Sequence, residues 1–178
     1  LSIIHQTSQP GVHATNAVAE QNNQDILDGI RTTLVQAGMP ACFWSFAGPC
    51  YCFHRNGLAD AESGISPWHS LHGEAMFNRP CETIPFGSQV TFIPNDTKGD
   101  NIGKMEPRTK IGIFVGYHMD SGCKWSGDYL VLSLENFAGR SLASNSREFA
   151  GREFTDPYRV QALKWNKAVS YTHLTLPT

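Results

Sequence analysis

Glu20 is the residue with the clearest capacity for chemistry. It sits in the stretch His5-Gln-Thr-Ser-Gln-Pro-Gly-Val-His-Ala-Thr-Asn-Ala-Val-Ala-Glu-Gln-Asn-Asn23, close to the start of a predicted helix. A carboxylate there gains from the positive end of the helix dipole, which helps to keep it ionised. Taken alone, such a residue is an ordinary first-turn charge. Two other groupings invite a zinc reading: His69 with His72, and Cys50-Tyr-Cys52-Phe-His54. A structural zinc site needs four ligands at spacings such as paired CxxC, and that pattern is missing. Cys42, Cys50 and Cys52 are more simply read as buried helix residues. Neither a glycine-rich phosphate loop nor a GxSxG nucleophile elbow occurs in the sequence.

The elements that must position these residues can be read from periodicity and punctuation. Residues 1–14 read as an extended entry with a turn at Pro10-Gly11. Thr15 or Asn16 can cap a helix whose apolar spacing continues through Ile26, Leu27, Ile30, Leu34 and Val35 and closes at Gly38 before Pro40. At 100° per residue Glu20 shares a stripe with Leu27 and Leu34, the side expected to face the rest of a catalytic domain; Arg31 shares that stripe too. A second helix is predicted from Pro40 toward His54, apolar nearly all round and therefore buried, with Pro49 as a possible kink. A third, short helix is predicted from Ser66-Pro67-Trp68 to Gly73. From Ile84 the period shifts to strands: Ser88 to Ile93, Gly112 to Tyr117 and Asp128 to Leu134. Short strands at this spacing predict a small antiparallel barrel.

Five blocks in this chain resemble, in order, the copia-type integrases of LTR retrotransposons. The segment around Glu20 resembles the family's "T-S-x-P-x-T-P-Q-x-N-G-V-A-E-R-x-N". Ala37-Gly-Met-Pro-Ala-Cys-Phe-Trp44 resembles "A-G-L-P-x-x-F-W", and Ser66-Pro-Trp-His-Ser-Leu-His-Gly73 resembles "T-P-x-E-x-x-x-G". Ile84-Pro-Phe-Gly87 resembles "L-R-x-F-G". Lys104-Met-Glu-Pro-Arg-Thr-Lys-Ile-Gly-Ile-Phe-Val-Gly-Tyr117 resembles "K-L-x-P-R-x-x-x-G-I-F-V-G-Y". Five blocks over roughly residues 5–155 make a specific signal where any single one would be weak.

The resemblance implies an α+β fold: the helical C-terminal end of an RNase H-like integrase core over 1–80, then an SH3-like β-barrel over 81–155 and a tail over 156–168. It implies that Glu20 is the last carboxylate of a D,D,E site holding Mg²⁺, with Asn16, Asn23 and Gln24 beside it on the nucleic-acid side. Phosphoryl transfer with two metal ions needs several carboxylates converging on one point, and the two partner aspartates would lie ahead of Leu1. The family glycine is Ala17 here. The basic residue that usually follows the glutamate is Gln21, which removes a contact to a DNA phosphate. The intact relative would join DNA ends to target DNA in the nucleus, as an oligomer beside its polyprotein neighbours. This chain alone is expected to be inactive; the alternatives are a module binding nucleic acid or polyprotein, or a degenerate element remnant.

Composition is compatible with that reading. Hydrophobic residues make up 40% and charged residues 17%, the proportions of a folded globular chain. No apolar run approaches the ~20 residues that span a bilayer, and the five cysteines, an odd number at irregular spacing, read as reduced thiols in an intracellular protein. Net charge is −2, but residues 1–97 hold three basic residues against eight acidic, whereas 98–178 hold eleven against eight. Lys98, Lys104, Arg108, Lys110 and Lys124 could form a basic rim on the barrel toward DNA. The start at Leu1 without a signal sequence reads as truncation. Val169 to Thr178 can be back-translated into a sequencing-library adapter and is set aside.

Overall fold

The structure is a computed structural model that describes residues 16–59, 61–73, 83–94, 105, 108–122, 125–138 and 156–165. It is an α+β arrangement. Among the described residues three helices, α1 (Ala17–Ala37), α2 (Trp44–Gly57) and α3 (Pro67–His72), precede five strands: β1 (Gln89–Phe92), β2 (Lys110–Met119), β3 (Trp125–Ser133), β4 (Tyr158–Val160) and β5 (Leu163–Trp165). No described helix is long and apolar enough to cross a membrane.

The helix ends follow from local chemistry. Gly38 adopts the left-handed conformation at φ 63° and ends α1. Its N–H donates to the Val35 carbonyl at 3.1 Å and the next, from Met39, to the Leu34 carbonyl at 3.0 Å, so two end carbonyls are satisfied. At the other end Asn16 occupies the cap position, but its side chain makes no capping hydrogen bond. Pro40 is not the first residue of α2 as predicted. It stands extended ahead of a 3₁₀ turn (Ala41–Phe43), and α2 begins only at Trp44. Nor is α2 buried all round. Ala47, Gly48, Cys50 and Phe53 are buried, while Trp44, Ser45, Pro49 and Arg55 are exposed. Cys42 and Cys52 are half-buried, so of the three cysteines expected inside only Cys50 is fully enclosed. The third helix matches its prediction: the Ser66 hydroxyl accepts from the His69 N–H at 3.2 Å, Pro67 stands in the first turn, and Gly73 closes it.

The strands form one antiparallel sheet in the order β4-β3-β2-β1-β5. The residues expected to be a tail thus supply both edges, β4 pairing with β3 and β5 with β1. Only Gln161 and Ala162 separate those two strands in the chain. Two linking residues hold the Cα atoms of Val160 and Leu163 within about 11 Å, whereas four strand spacings across a flat sheet would be roughly 19 Å. The sheet must therefore curl strongly. The rings of Phe92 on β1 and Tyr158 on β4 lie 5.2 Å apart although the two strands stand three places apart in the order.

Helices and sheet share one hydrophobic core, in which Leu34, Phe43, Ala47, Cys50 and Phe53 join Val90, Phe92, Phe114, Val131 and Val160. Strand β2 is its centre. Residues 112–117 are buried without a break, because one side faces the curled sheet and the other faces α2. A bulge between Phe114 and Gly116 shifts its register against β3 and changes which way the following side chains point.

One ion pair fastens β4 to β3. Asp128 is buried, and Arg159 Nε donates to its Oδ2 at 2.5 Å, with Nη2 on the same oxygen. Half of the Arg159 side chain reaches solvent, so the two partners are not equivalent. Arg159→Ala strands a carboxylate inside the protein and is expected to cost about 3 kcal/mol. Asp128→Ala leaves a half-exposed cation that still has Asp120 at 3.8 Å and is reached by water, and it is expected to cost about 1 kcal/mol. Urea unfolding of the two variants measures the difference; equal losses would show that the burial of Asp128 does not govern the pair.

Candidate functional site

Glu20 lies in the first turn of α1 and is exposed. Of the stripe it shares, Leu34 is buried in the core, but Leu27 is 48% exposed, so the described residues cover the stripe only at its C-terminal end. The half of α1 that carries Glu20 projects beyond the shared core. Asn16 and Asn23 are exposed on the same half-helix.

Gln24 is engaged locally. Its amide donates to Asp28 at 3.0 Å, and Arg31 donates to the same carboxylate at 2.7 Å. The Gln24 hydrogen bond, then that of Arg31, hold the Asp28 carboxyl below its usual range. Gln21 similarly donates to Asp25 at 3.0 Å. This face of α1 is thus laced by side-chain pairs one turn apart, as on a solvated helix.

A metal site does not follow from what is described. Among the described residues no three His, Cys, Asp or Glu side chains come together in a way that could hold an ion. These residues alone do not fit Mg²⁺. His69 and His72 are both exposed on α3, where His72 lies against the Trp68 ring at 4.1 Å.

The expected basic rim is only partly visible. Lys98, Lys104 and Lys124, together with Cys81, Cys123, Thr15 and the segments 1–14 and 169–178, lie outside the described residues. Arg108 is exposed just ahead of β2. Lys110 is half-buried and its ammonium stands 3.6 Å from Glu135, so part of its charge is already answered within the chain.

Three of the five motif blocks meet around the aromatic centre of β2. Phe53 of α2 stacks on Tyr117 with ring centroids 3.8 Å apart, and Trp125 meets Tyr117 edge-on at 5.6 Å. The Tyr117 hydroxyl accepts from the Ile84 N–H at 3.1 Å and lies 3.0 Å from His54 Nε2. Beside it, the Gly87 N–H donates to the Phe114 carbonyl and the Phe114 N–H to the Ser88 carbonyl, both at 2.9 Å. Gly87, at φ 80°, lies so close to α1 that a Cβ there would fall 2.6 Å from the Cβ of Ala37. Gly116, at φ 139°, sits under α2, where a Cβ would meet that of Cys50 at 3.6 Å. Gly87 thus has a structural reason, letting the end of α1 approach the sheet closely, and Gly116 supplies a backbone conformation that side chains rarely adopt.

A cleft of about 510 Å³ opens beside this junction, lined by Thr33 and Gln36 of α1, His54 and Leu58 of α2, and Pro85 and Phe86 of the connecting segment. In the sequence His54 suggests only a zinc ligand, and Tyr117 has no role beyond its motif. The two stand 63 positions apart, and no local pattern announces their contact.

No protein-family model, no curated protein and no solved structure matches this chain.

Proposed function

We propose that the chain is part of a copia-type retroelement integrase, the helical end of an RNase H-like catalytic core running into a small SH3-like barrel. The observation that carries the reading is the order of the five blocks along the sequence. It is supported by where three of them fall. Ala37–Trp44, Ile84–Gly87 and the end of the Lys104–Tyr117 block are distant in sequence, yet they supply contacts between the helices, the connecting segment and the sheet. The barrel reading is supported by the curl that the Gln161-Ala162 link imposes on the sheet.

In this reading Glu20 is the third carboxylate of a Mg²⁺-dependent site for DNA strand transfer, and residues ahead of Leu1 provide the two aspartates. Its exposed position on the projecting half of α1 leaves it open to them. Phosphoryl transfer through two metals needs those further carboxylates, so the present residues are expected to be inactive alone. A strand-transfer assay on residues 1–168 with Mg²⁺ should give no product above background; turnover by this segment would sink the claim. The reading frame ahead of Leu1 offers the complementary test. It should encode two aspartates, the second some tens of residues before Glu20, and stop codons in their place would mark a relic.

A further inference from the structure

The cleft between α1, α2 and the segment 83–88 holds polar groups that the protein leaves unused. Ser88 is the clearest of them. The residue is only 7% exposed, and its backbone is engaged, the N–H with the Pro85 carbonyl and the carbonyl with the Phe114 N–H. Its hydroxyl has no hydrogen-bond partner among the described residues. The Ser133 hydroxyl is unpaired too, but that oxygen is sealed inside the protein. The Ser88 oxygen is not sealed, and the space that Ser88 borders is the cleft. An unanswered hydroxyl at a buried residue is costly, and an occupant of the cleft can answer it.

The rest of the described polar lining is neutral. The Gln36 carboxamide and the Thr83 hydroxyl also have no partner among the described residues. Thr33 donates its hydrogen to the Gly29 carbonyl at 2.8 Å, so it offers the cleft acceptor capacity only. His54 turns Nε2 to the Tyr117 hydroxyl; its Nδ1 has no partner among the described residues and is not sealed. That nitrogen donates or accepts according to the tautomer. Burial lowers the imidazole below its ordinary 6.5, so the ring is uncharged at neutral pH. The other described lining is largely apolar, with Leu58 and Pro85 both exposed.

We propose that this cleft binds a small uncharged molecule carrying a carboxamide on an apolar body. Its volume of about 510 Å³ falls within the roughly 300–1,000 Å³ of ligand clefts. A charged ligand would give up hydration and meet no ion partner on the described lining. A carboxamide sets a donor and an acceptor side by side, the complement of the Gln36 carboxamide. It keeps a second hydrogen and a second lone pair for Ser88, Thr83 or His54. The apolar body then covers Leu58 and Pro85. Nothing in this site depends on Glu20 or on the metal chemistry proposed for it.

Benzamide, benzoate and benzamidine share one shape and differ in charge, and titrating each into the 178-residue chain at neutral pH tests the site. In backbone amide spectra, benzamide should shift Gly87 and Ser88 saturably, and the two ions should bind at least about tenfold more weakly. Ser88→Ala should weaken benzamide several-fold. Gln36→Glu, at an exposed position, should weaken benzamide and strengthen benzamidine. A cleft that holds only water would give no saturable shift, and that result would overturn the proposal. Equal affinities for the three probes, or a benzamide affinity unchanged in either variant, would overturn it as well.

Discussion

Phe114→Ala is expected to lower the stability of the chain by about 3–5 kcal/mol, as large-to-small changes of buried phenylalanines do. Phe114 has no exposure at all, and its ring meets Tyr117 at 5.1 Å and Tyr129 at 6.2 Å, both edge-on. The position has little freedom to collapse. Its N–H and carbonyl are both tied to the 87–88 turn, and the bulge that follows fixes the strand against β3. A whole domain is typically stable by about 5–15 kcal/mol, so the variant should unfold at a much lower urea concentration. A loss below ~1 kcal/mol would mean that the side chain is not enclosed as described.

The second large effect concerns the helices as a group. A segment running from Thr83 to Trp165 keeps every described strand, but it loses α1 and α2. It is expected not to fold. Residues 112–117 are buried along their whole length, and α2 provides one of the two covers. Without it Tyr117 loses the stacked Phe53 ring, and Gly87 loses the helix end against which it packs. An exposed apolar face along a central strand favours aggregation. Circular dichroism of the excised segment should show neither near-ultraviolet signal nor a cooperative melt, whereas the 178-residue chain should show both. A cooperative transition in the excised segment would make the sheet an independent folding unit.

Much of the architecture was legible because it is written locally. The caps of α1 and α3 are single residues with known preferences, and Gly38 and Ser66 announced themselves. The three longer strands could be found by composition and by their flanking turns. β4 and β5 could not. Each is three residues long, with one charged residue, Arg159 or Lys164, in the middle, and their stability comes from partners far away in sequence. The mistaken burial of α2 has a similar origin. Trp44 and Pro49 count as apolar in a pattern, and only the placement of the sheet decides which face is covered. The Tyr117–His54 contact and the Asp128–Arg159 pair are tertiary facts with no local signature. Glu20 stands at the opposite pole: its motif was the clearest in the sequence, yet the described residues place nothing around it that would show its use.

The placement of β4 and β5 also bears on how the protein is made. Strand β1 is complete at Phe92, but its second neighbour ends at Trp165, more than seventy positions later. During synthesis β1 and β3 must each wait with one flank of backbone donors and acceptors unanswered until almost the last described residue has left the ribosome. Contacts this distant in sequence slow folding, and unpaired strand flanks are where chains stick to one another. The nascent sheet is therefore open to misassembly until Tyr158 to Trp165, eight residues in all, end that exposure on both flanks at once.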